Sequence, residues 1–284
     1  MAVLAAAADL GMGLPLDHGL RTGLIAMRLA DLVGLAVDDR EDLFYLTLLR
    51  MAGCTVESSS MPYHFGDEVR FGVDTQALDY GNYHEFGTWV TEHFATDQSE
   101  RVREQLLDRL FQYTPAKRRE KLVGHCEVAR LGAVEMGLGA ALIESLNFVF
   151  ERWDGTGAPS MAGGERIPLV AQTMRLANEL EVHARVHGAE AAVAMADYRA
   201  GGAFDPHLVW LFRQASGRVL EVLDARSPWE AAMVADPGKR QLSEAGMDRA
   251  AAAMASCTDL KSDYTHACSR TGRGGCVRPC LADR

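Results

Sequence analysis

The sequence predicts an all-α protein, and two observations lead to this fold class. Apolar residues recur at steps of three to five positions along most of the chain, as Leu20, Leu24 and Met27 do, and this is the spacing of an amphipathic helix. The strict alternation of apolar and polar residues that marks a strand is nearly absent. Hydrophobic residues make up 48% of the 284 residues and charged residues 24%, so the chain can bury a large core.

The helices in the first part of the chain are delimited by their start and stop residues. The first is predicted over residues 17–33 and ends at Gly34, because glycine readily adopts the left-handed conformation that closes a helix. The second is predicted over residues 38–51, since its acidic residues have the spacing of a helix start, and Gly53 is its predicted stop. Residues 55–82 lack a clear period, which predicts mostly loop with short helices.

Helical periodicity then continues to residue 223 with one interruption. The interruption is a turn-rich loop over residues 154–168, which is rich in glycine and proline. The helices predicted on either side of it are 85–94, 99–113, 117–136, 140–150, 169–183, 189–199 and 206–223. The composition changes after Pro237, where a possible cap precedes an Ala/Met-rich helix at 243–255.

Charge and hydropathy limit the partners that this chain can have. The formal net charge of −10 argues against a nucleic-acid surface, because phosphate contacts need clustered lysine and arginine. No apolar run approaches the roughly 20 residues that a membrane-spanning helix requires. The opening segment lacks the basic start of a signal peptide, so we expect a cytoplasmic protein.

Residues 150–159, with the sequence FERWDGTGAP, carry the most specific local signal. They are predicted to be a helix end that continues into a tight loop. Asp154 can fold back on the backbone as an Asx turn, Gly155 and Gly157 permit a positive φ, and Pro159 stiffens the exit.

This segment resembles the signature of the HD-GYP-type phosphohydrolases, which is two histidines followed by E-x-W-D-G-x-G-Y-P, with Ala158 in place of the tyrosine. Residues 202–206, GAFDP, look like the G-x-F-D-P element near the end of such domains. The resemblance covers about residues 14–225 and implies an HD-domain helical bundle with a Gly-rich loop. In that family, histidines and aspartates from several helices hold two or three metal ions, and the metal-bound hydroxide attacks a phosphodiester.

The resemblance assigns most metal ligands to positions that this chain has replaced. His18 and His125 match two family histidines and are either vestigial metal ligands or core histidines whose ring nitrogens are satisfied. The replacements are Arg50 and Met51 for the His-Asp pair, Val149 and Phe150 for the paired histidines, and Asn178 for an aspartate. A metal ion needs several ligands in a fixed geometry, and an arginine would repel divalent cations, so we expect a degenerate site without catalytic residues.

The same positions are candidates for binding a ligand instead. They are Arg50, Glu151, Arg152, Asp154, Gly155, Gly157 and Asn178. Two roles stay open for Arg50, which can be a structural ion-pair partner of Glu181 or Glu151, or can bind a phosphate of a nucleotide. The turn at residues 154–157 can likewise order the loop or contact a ligand.

The sequence therefore predicts a degenerate HD-GYP-type domain over residues 14–236 that acts as a regulatory or nucleotide-sensing module. The alternative is an active metal-dependent phosphohydrolase that uses Fe or Mn to cleave a cyclic dinucleotide, such as cyclic di-GMP, or another phosphodiester. A third alternative is a non-functional remnant. The expected partners are a nucleotide or a signalling protein, with no membrane and no nucleic acid, and a homodimer stays open.

Residues 237–284 are predicted to be a linker followed by an incomplete second HD unit and a disordered tail. Residues 255–270 resemble the D-L-K-S-P-Y-T-x-x-H-S entrance of such a unit, with Cys268 at the ligand histidine's position, which implies a tandem protein that is truncated or frame-shifted here. A rival interpretation makes a zinc site of His266, Cys268, Cys276 and Cys280. Their spacings are not those of common zinc modules, so we expect a reactive cysteine tail.

Overall fold

The computed structural model describes residues 1–56, 61–239, 244, 246 and 248–252. Within these residues the regular elements are helical, apart from one isolated β-bridge between Ala200 and Phe204. The all-α fold class is therefore confirmed. None of the described helices is both long enough and apolar enough to cross a bilayer.

The numbered α-helices lie between residues 2 and 235. They are α1 (Ala2–Gly11), α2 (His18–Val33), α3 (Val37–Leu49), α4 (Met61–Phe65), α5 (Glu68–Thr75), α6 (Tyr83–His93), α7 (Glu100–Phe111), α8 (Pro115–Glu135), α9 (Ala140–Ser145), α10 (Leu169–His187), α11 (Ala189–Tyr198), α12 (Pro206–Gln214), α13 (Ser216–Leu220) and α14 (Pro228–Ala235). Short 3₁₀ helices lie at Ala52–Val56, Leu146–Phe148, Gly164–Arg166 and Glu221–Asp224.

The main core surrounds α2, which packs against α1, α3, α10 and α14. Apolar side chains on most of its faces, including Leu20, Ile25 and Leu29, are buried, because neighbouring helices cover it on several sides. The facing helices contribute fully buried side chains such as Leu46 of α3 and Leu180 of α10. Helices α2, α3 and α10 also carry or end at His18, Arg50 and Asn178, which the sequence analysis identified.

A second, smaller cluster lies in α4–α7, between residues 61 and 113. It is largely aromatic, and its buried members are Phe65, Phe71, Val90, Phe94 and Leu110. The Phe65 and Phe71 rings are stacked with their centroids 4.3 Å apart. This helical lobe therefore has its own packing centre beside the main core, and a wide cavity lies between the two.

Most predicted helices are confirmed to within a few residues. Three predicted helix ends differ from the structure for reasons that can be stated. The helix predicted to reach residue 51 ends at Leu49, and Gly53 is required for close approach instead, since a Cβ there would lie 2.7 Å from the His125 carbonyl carbon. The helix predicted to reach residue 150 ends at Ser145 and tightens into a 3₁₀ turn. The prediction of one helix over 206–223 is wrong, because Ala215 leaves the helical conformation.

Two helices, α1 and α14, are not among the predicted elements. Both are short and alanine-rich, so their apolar residues do not form a distinct stripe. At the other end of the chain, the proposed second HD unit and residues Cys257, His266, Cys268, Cys276 and Cys280 lie outside the described residues. The domain boundary near residue 237 stays a prediction.

Candidate functional site

Arg50 is the C-cap residue of α3, and its guanidinium lies between α2 and α10. Its Nη2 donates to Nε2 of His18 at 2.9 Å and also to Oδ1 of Asn178. The other ring nitrogen of His18, Nδ1, lies 2.5 Å from Oε2 of Glu181. Three positions that the resemblance assigns to metal ligands therefore meet. One of them is Arg50, whose side chain lies between the other two, His18 and Asn178.

The donors and acceptors in this cluster define its protonation. Arginine only donates hydrogen bonds, so Nε2 of His18 accepts and the ring proton is on Nδ1, which donates to Glu181. Burial alone would raise the pKa of Glu181, but the hydrogen bonds from His18 and Arg185 outweigh burial and lower it. Burial also lowers the pKa of the Arg50 guanidinium. Arg50 thus reaches Glu181 only through the His18 ring, and the ion pair with Glu181 or Glu151, which was one of its two open roles, is not among its contacts in the described residues.

His125 of α8 lies on the other side of Arg50. Its Nε2 donates to the Arg50 carbonyl at 2.5 Å, and its ring packs edge-on against Phe150 with the centroids 4.7 Å apart. The side chain is buried, and burial lowers the pKa of His125 to about 4. It therefore fixes the end of α3 through its hydrogen bond to the Arg50 carbonyl.

The side chains present do not fit the metal centre that the resemblance implies. Among the residues that the structure describes, no group of three or more His, Cys, Asp or Glu side chains is arranged to hold a metal ion. Both ring nitrogens of His18 are hydrogen-bonded, and a guanidinium occupies the space between His18 and Asn178. A divalent cation there would meet a fixed positive charge and few anionic ligands.

The loop that follows Phe150 is ordered by its own polar residues. Oδ1 of Asp154 accepts from the Thr156 amide at 2.9 Å, which confirms the predicted Asx turn. The buried Glu151 carboxylate accepts from the Ser160 amide at 2.6 Å and from its hydroxyl at 2.7 Å. Glu151 and Asp154 therefore both order the loop, and for the turn at residues 154–157 this is one of the two roles that the sequence left open.

Gly155 and Gly157 serve this loop in different ways. Gly155 has a φ of +76°, as predicted. The prediction of a positive φ for Gly157 is wrong. Glycine is needed there because a Cβ would lie 2.5 Å from the Glu151 Cα and would force the loop away from it.

Arg152 links this loop to the smaller lobe through a buried ion-pair network. Its Nη1 donates to Oδ1 of Asp79 at 2.6 Å, and its Nε donates to Thr156 at 3.0 Å. Arg199 lies on the same network, 3.9 Å from Asp79 and 2.9 Å from Glu179 of α10. Burial would raise the pKa of Asp79, but Arg152 and the Gly81 amide lower it overall. The loop at residues 76–82 is thereby held against the main core.

A cavity of about 770 Å³ opens between the main core and the α4–α7 lobe. Its walls include His18, Arg50, His125 and Asn178, so the cluster described above forms one side of it. Its charged walls are five arginines and three carboxylates, which are Arg50, Arg118, Arg119, Arg152, Arg175, Glu68, Asp79 and Glu179. Aromatic walls include Phe65, Tyr80, Tyr83, Tyr113 and Phe150. The cavity has an excess of positive charge although the whole chain has a net charge of −10.

Several of these lining residues were not identified from the sequence. Asp79 and Arg118 belong to segments with no recognisable motif, and only the packing of the smaller lobe brings them to the cavity. Arg175 could have been found, because it lies three residues before Asn178 on α10 and shares its face, and Glu179 could have been found as the residue four positions after Arg175.

No protein-family model matches the chain. Among curated proteins, the chain is 26% identical over 279 residues to the 3′3′-cGAMP-specific phosphodiesterase 3 of Vibrio cholerae serotype O1, which covers 93% of this chain and 58% of the relative. Among solved structures, it is similar to a crystal structure of a cyclic GMP-AMP specific phosphodiesterase of V. cholerae, with a TM-score of 0.71 and 25% identity over 95% of this chain and 61% of the other.

The chain thus spans about three fifths of the length of both proteins. The similarity extends over nearly all of this chain, in sequence and in fold. These two findings support the resemblance of the chain to an HD-type phosphohydrolase.

Proposed function

We propose that this chain is a nucleotide-recognition module with an HD-type phosphohydrolase fold, which binds a cyclic dinucleotide in the arginine-rich cavity without hydrolysing it. The observation that carries the proposal is the Arg50 guanidinium, which lies between His18 and Asn178 where the resemblance requires metal. A cation that belongs to the protein can bind a phosphate there, but it cannot generate the hydroxide that hydrolysis by the family mechanism needs.

The cavity has the chemistry that a cyclic dinucleotide requires. Its volume of about 770 Å³ lies within the range of small-molecule pockets, which is roughly 300–1,000 Å³. A cyclic dinucleotide carries two phosphodiester charges, and the guanidinium group is well suited to bind them. The aromatic side chains in the walls offer flat surfaces for the two bases. The substrate in the name of the V. cholerae relative favours the same ligand class.

A second candidate function is hydrolysis of a cyclic dinucleotide. It is favoured by the similarity to a phosphodiesterase, which supports catalysis more directly than it supports a non-catalytic role. This candidate requires metal ligands beyond the cluster at Arg50, because that cluster has too few anionic side chains.

Equilibrium dialysis with 3′,3′-cGAMP separates the two functions. We expect the purified chain to bind this nucleotide in EDTA and to return it intact, as measured by chromatography of the bound fraction. Arg50→Met should weaken binding about tenfold or more, because a charged hydrogen-bond donor is lost. Arg213→Met is the matched control, since Arg213 is exposed and pairs with Asp197 outside the cavity.

The same dialysis is repeated with Mn²⁺ or Fe²⁺ to test for hydrolysis. Turnover of the nucleotide in the presence of metal would establish the second candidate and overturn the non-hydrolytic proposal. Absence of binding both with and without metal would overturn the ligand class itself.

A further inference from the structure

Two of the five cavity arginines, Arg50 and Arg175, have no carboxylate at hydrogen-bonding distance, and the nearest carboxylate to Arg175 lies 4.0 Å away. In the part of the chain that the structure describes, Arg152 is bonded to Asp79, Arg118 to the Tyr80 carbonyl and Arg119 to the Pro159 carbonyl. By contrast, the Nε atoms of Arg50 and Arg175 are both buried with no hydrogen-bond partner. A buried donor without an acceptor is costly, which makes these two side chains candidates for an anionic ligand.

Arg50 directs its bonded nitrogen at an imidazole ring and an amide, and at no carboxylate. Its two side-chain hydrogen bonds go to His18 and Asn178, and Glu181 lies beyond the His18 ring. Asp9 acts on it only at longer range, with a carboxylate that accepts from the Gly19 amide and has a pKa raised by burial. The charge of Arg50 is therefore not neutralised by direct contact.

Arg175 also lacks a carboxylate at hydrogen-bonding distance. It lies three residues before Asn178 on α10, so both side chains are on the same face of the helix. Its carboxylate partner is Glu179, whose Oε1 lies 4.0 Å from Nη2 of Arg175 and whose Oε2 accepts from Arg199 at 2.9 Å. The Glu179 charge is thus already engaged by Arg199, and Arg175 keeps donors for another acceptor.

We propose that Arg50 and Arg175, with Asn178 between them, form a phosphate subsite that binds one phosphodiester group of the ligand. The subsite rests on the proposed function, and it assigns to Arg175 a specific binding role. A phosphodiester has two unbridged oxygens and a single negative charge, so it can accept from both guanidinium groups at once. The ligand would provide the acceptors that both Nε atoms lack and would place a negative charge beside two arginines that have no close carboxylate.

The test combines binding and stability measurements on Arg50→Met, Arg175→Met and the double variant. Each single variant should weaken 3′,3′-cGAMP binding about tenfold or more. The double variant should lose less than the product of the single losses, because both arginines bind the same phosphate. Arg130→Met is the control, since the Nε of Arg130 is also buried without a partner but this residue does not line the cavity.

Thermal unfolding without nucleotide distinguishes a ligand site from a structural role. Removing a partly buried cation that has an unpartnered Nε and no close carboxylate should leave the Tm of Arg175→Met unchanged or raise it, whereas loss of a structural contact would lower it. Inorganic phosphate should raise the Tm of the unaltered chain and of Arg130→Met more than that of Arg175→Met.

The measurements distinguish a failure of the subsite from a failure of the proposed function. If the unaltered chain binds 3′,3′-cGAMP and Arg175→Met binds it equally well, the subsite is wrong while the proposed function stands. If the unaltered chain does not bind the nucleotide but phosphate stabilises it through Arg175, the nucleotide proposal fails and an anion subsite stands. A lowered Tm for Arg175→Met together with no effect of phosphate would overturn the subsite.

Discussion

Arg50 changes the chemistry of the site more than any other single residue that the sequence analysis identified. Its guanidinium donates to a histidine ring and to an amide, and a divalent cation there would meet its positive charge. The sequence allowed this position to be found, because LLRMAGC resembles the L-L-H-D-x-G-K segment. The sequence could not decide between the two roles of Arg50, since the choice depends on the distance to Glu181, which lies 131 positions further along the chain.

Restoring the His-Asp pair alone should not create a phosphodiesterase. We expect the double variant Arg50→His with Met51→Asp to show no turnover of 3′,3′-cGAMP with Mn²⁺, as followed by chromatography. The reason is that Val149, Phe150 and Asn178 still provide no metal ligands of the required kind. Turnover by this variant would show that the assignment of the ligand positions is mistaken.

Two buried histidines should make the fold sensitive to acid. Burial lowers the pKa of His125 and of His183 to about 4, below the ordinary value of 6.5. As the pH falls from 6.5 toward 4, the unfolded chain therefore binds protons before the folded chain does, and stability is lost. Between pH 7 and pH 5 we expect each histidine to cost about 1 to 2 kcal/mol of unfolding free energy.

Urea unfolding at the two pH values measures this effect. His125→Gln can still donate to the Arg50 carbonyl but does not titrate, so its stability should fall less between pH 7 and pH 5. Exposed His93 provides the matched substitution, His93→Gln, which should leave the pH dependence unchanged. Equal acid losses for all three proteins would contradict the buried neutral state of His125.

Among the elements, α10 contributes most to the candidate site. It provides Arg175, Asn178, Glu179 and Glu181 within two turns, and its helical periodicity was readable from the sequence. The turn-rich loop after Phe150 was also predictable, because its glycines and aspartate have specific backbone roles. What could not be predicted is the partner of each polar side chain, since Arg152 bonds to Asp79 across 73 positions of the chain.

The ion pair between Arg152 and Asp79 should stabilise the contact between the two lobes. Asp79→Asn removes the nearest counter-charge of the buried Arg152 guanidinium, which keeps only the 3.4 Å contact with the more exposed Asp154, so we expect a loss of about 3 kcal/mol in unfolding free energy. Asp74→Asn removes the carboxylate of an exposed pair with Arg70 on α5 and should have a much smaller effect. Similar losses for both variants, measured by urea unfolding, would contradict a stabilising role for the buried network.

For the molecule as a whole, periodicity predicted the fold class and most helices, but it did not predict the cavity. The cavity forms where the aromatic lobe of α4–α7 meets the main core, and this packing depends on contacts between distant parts of the chain. The proteins that the chain resembles are longer, and the chain spans about three fifths of their length. The tandem arrangement and the homodimer stay predictions.

Metal content tests most directly whether this site has an arginine where the resemblance to HD-type phosphohydrolases implies metal. The purified chain is incubated anaerobically with Fe²⁺ or Mn²⁺ and desalted, and the bound metal is measured by inorganic mass spectrometry. We predict well under one ion per chain, with no increase upon addition of 3′,3′-cGAMP. One or more tightly bound ions per chain would contradict this prediction and would favour the phosphodiesterase function.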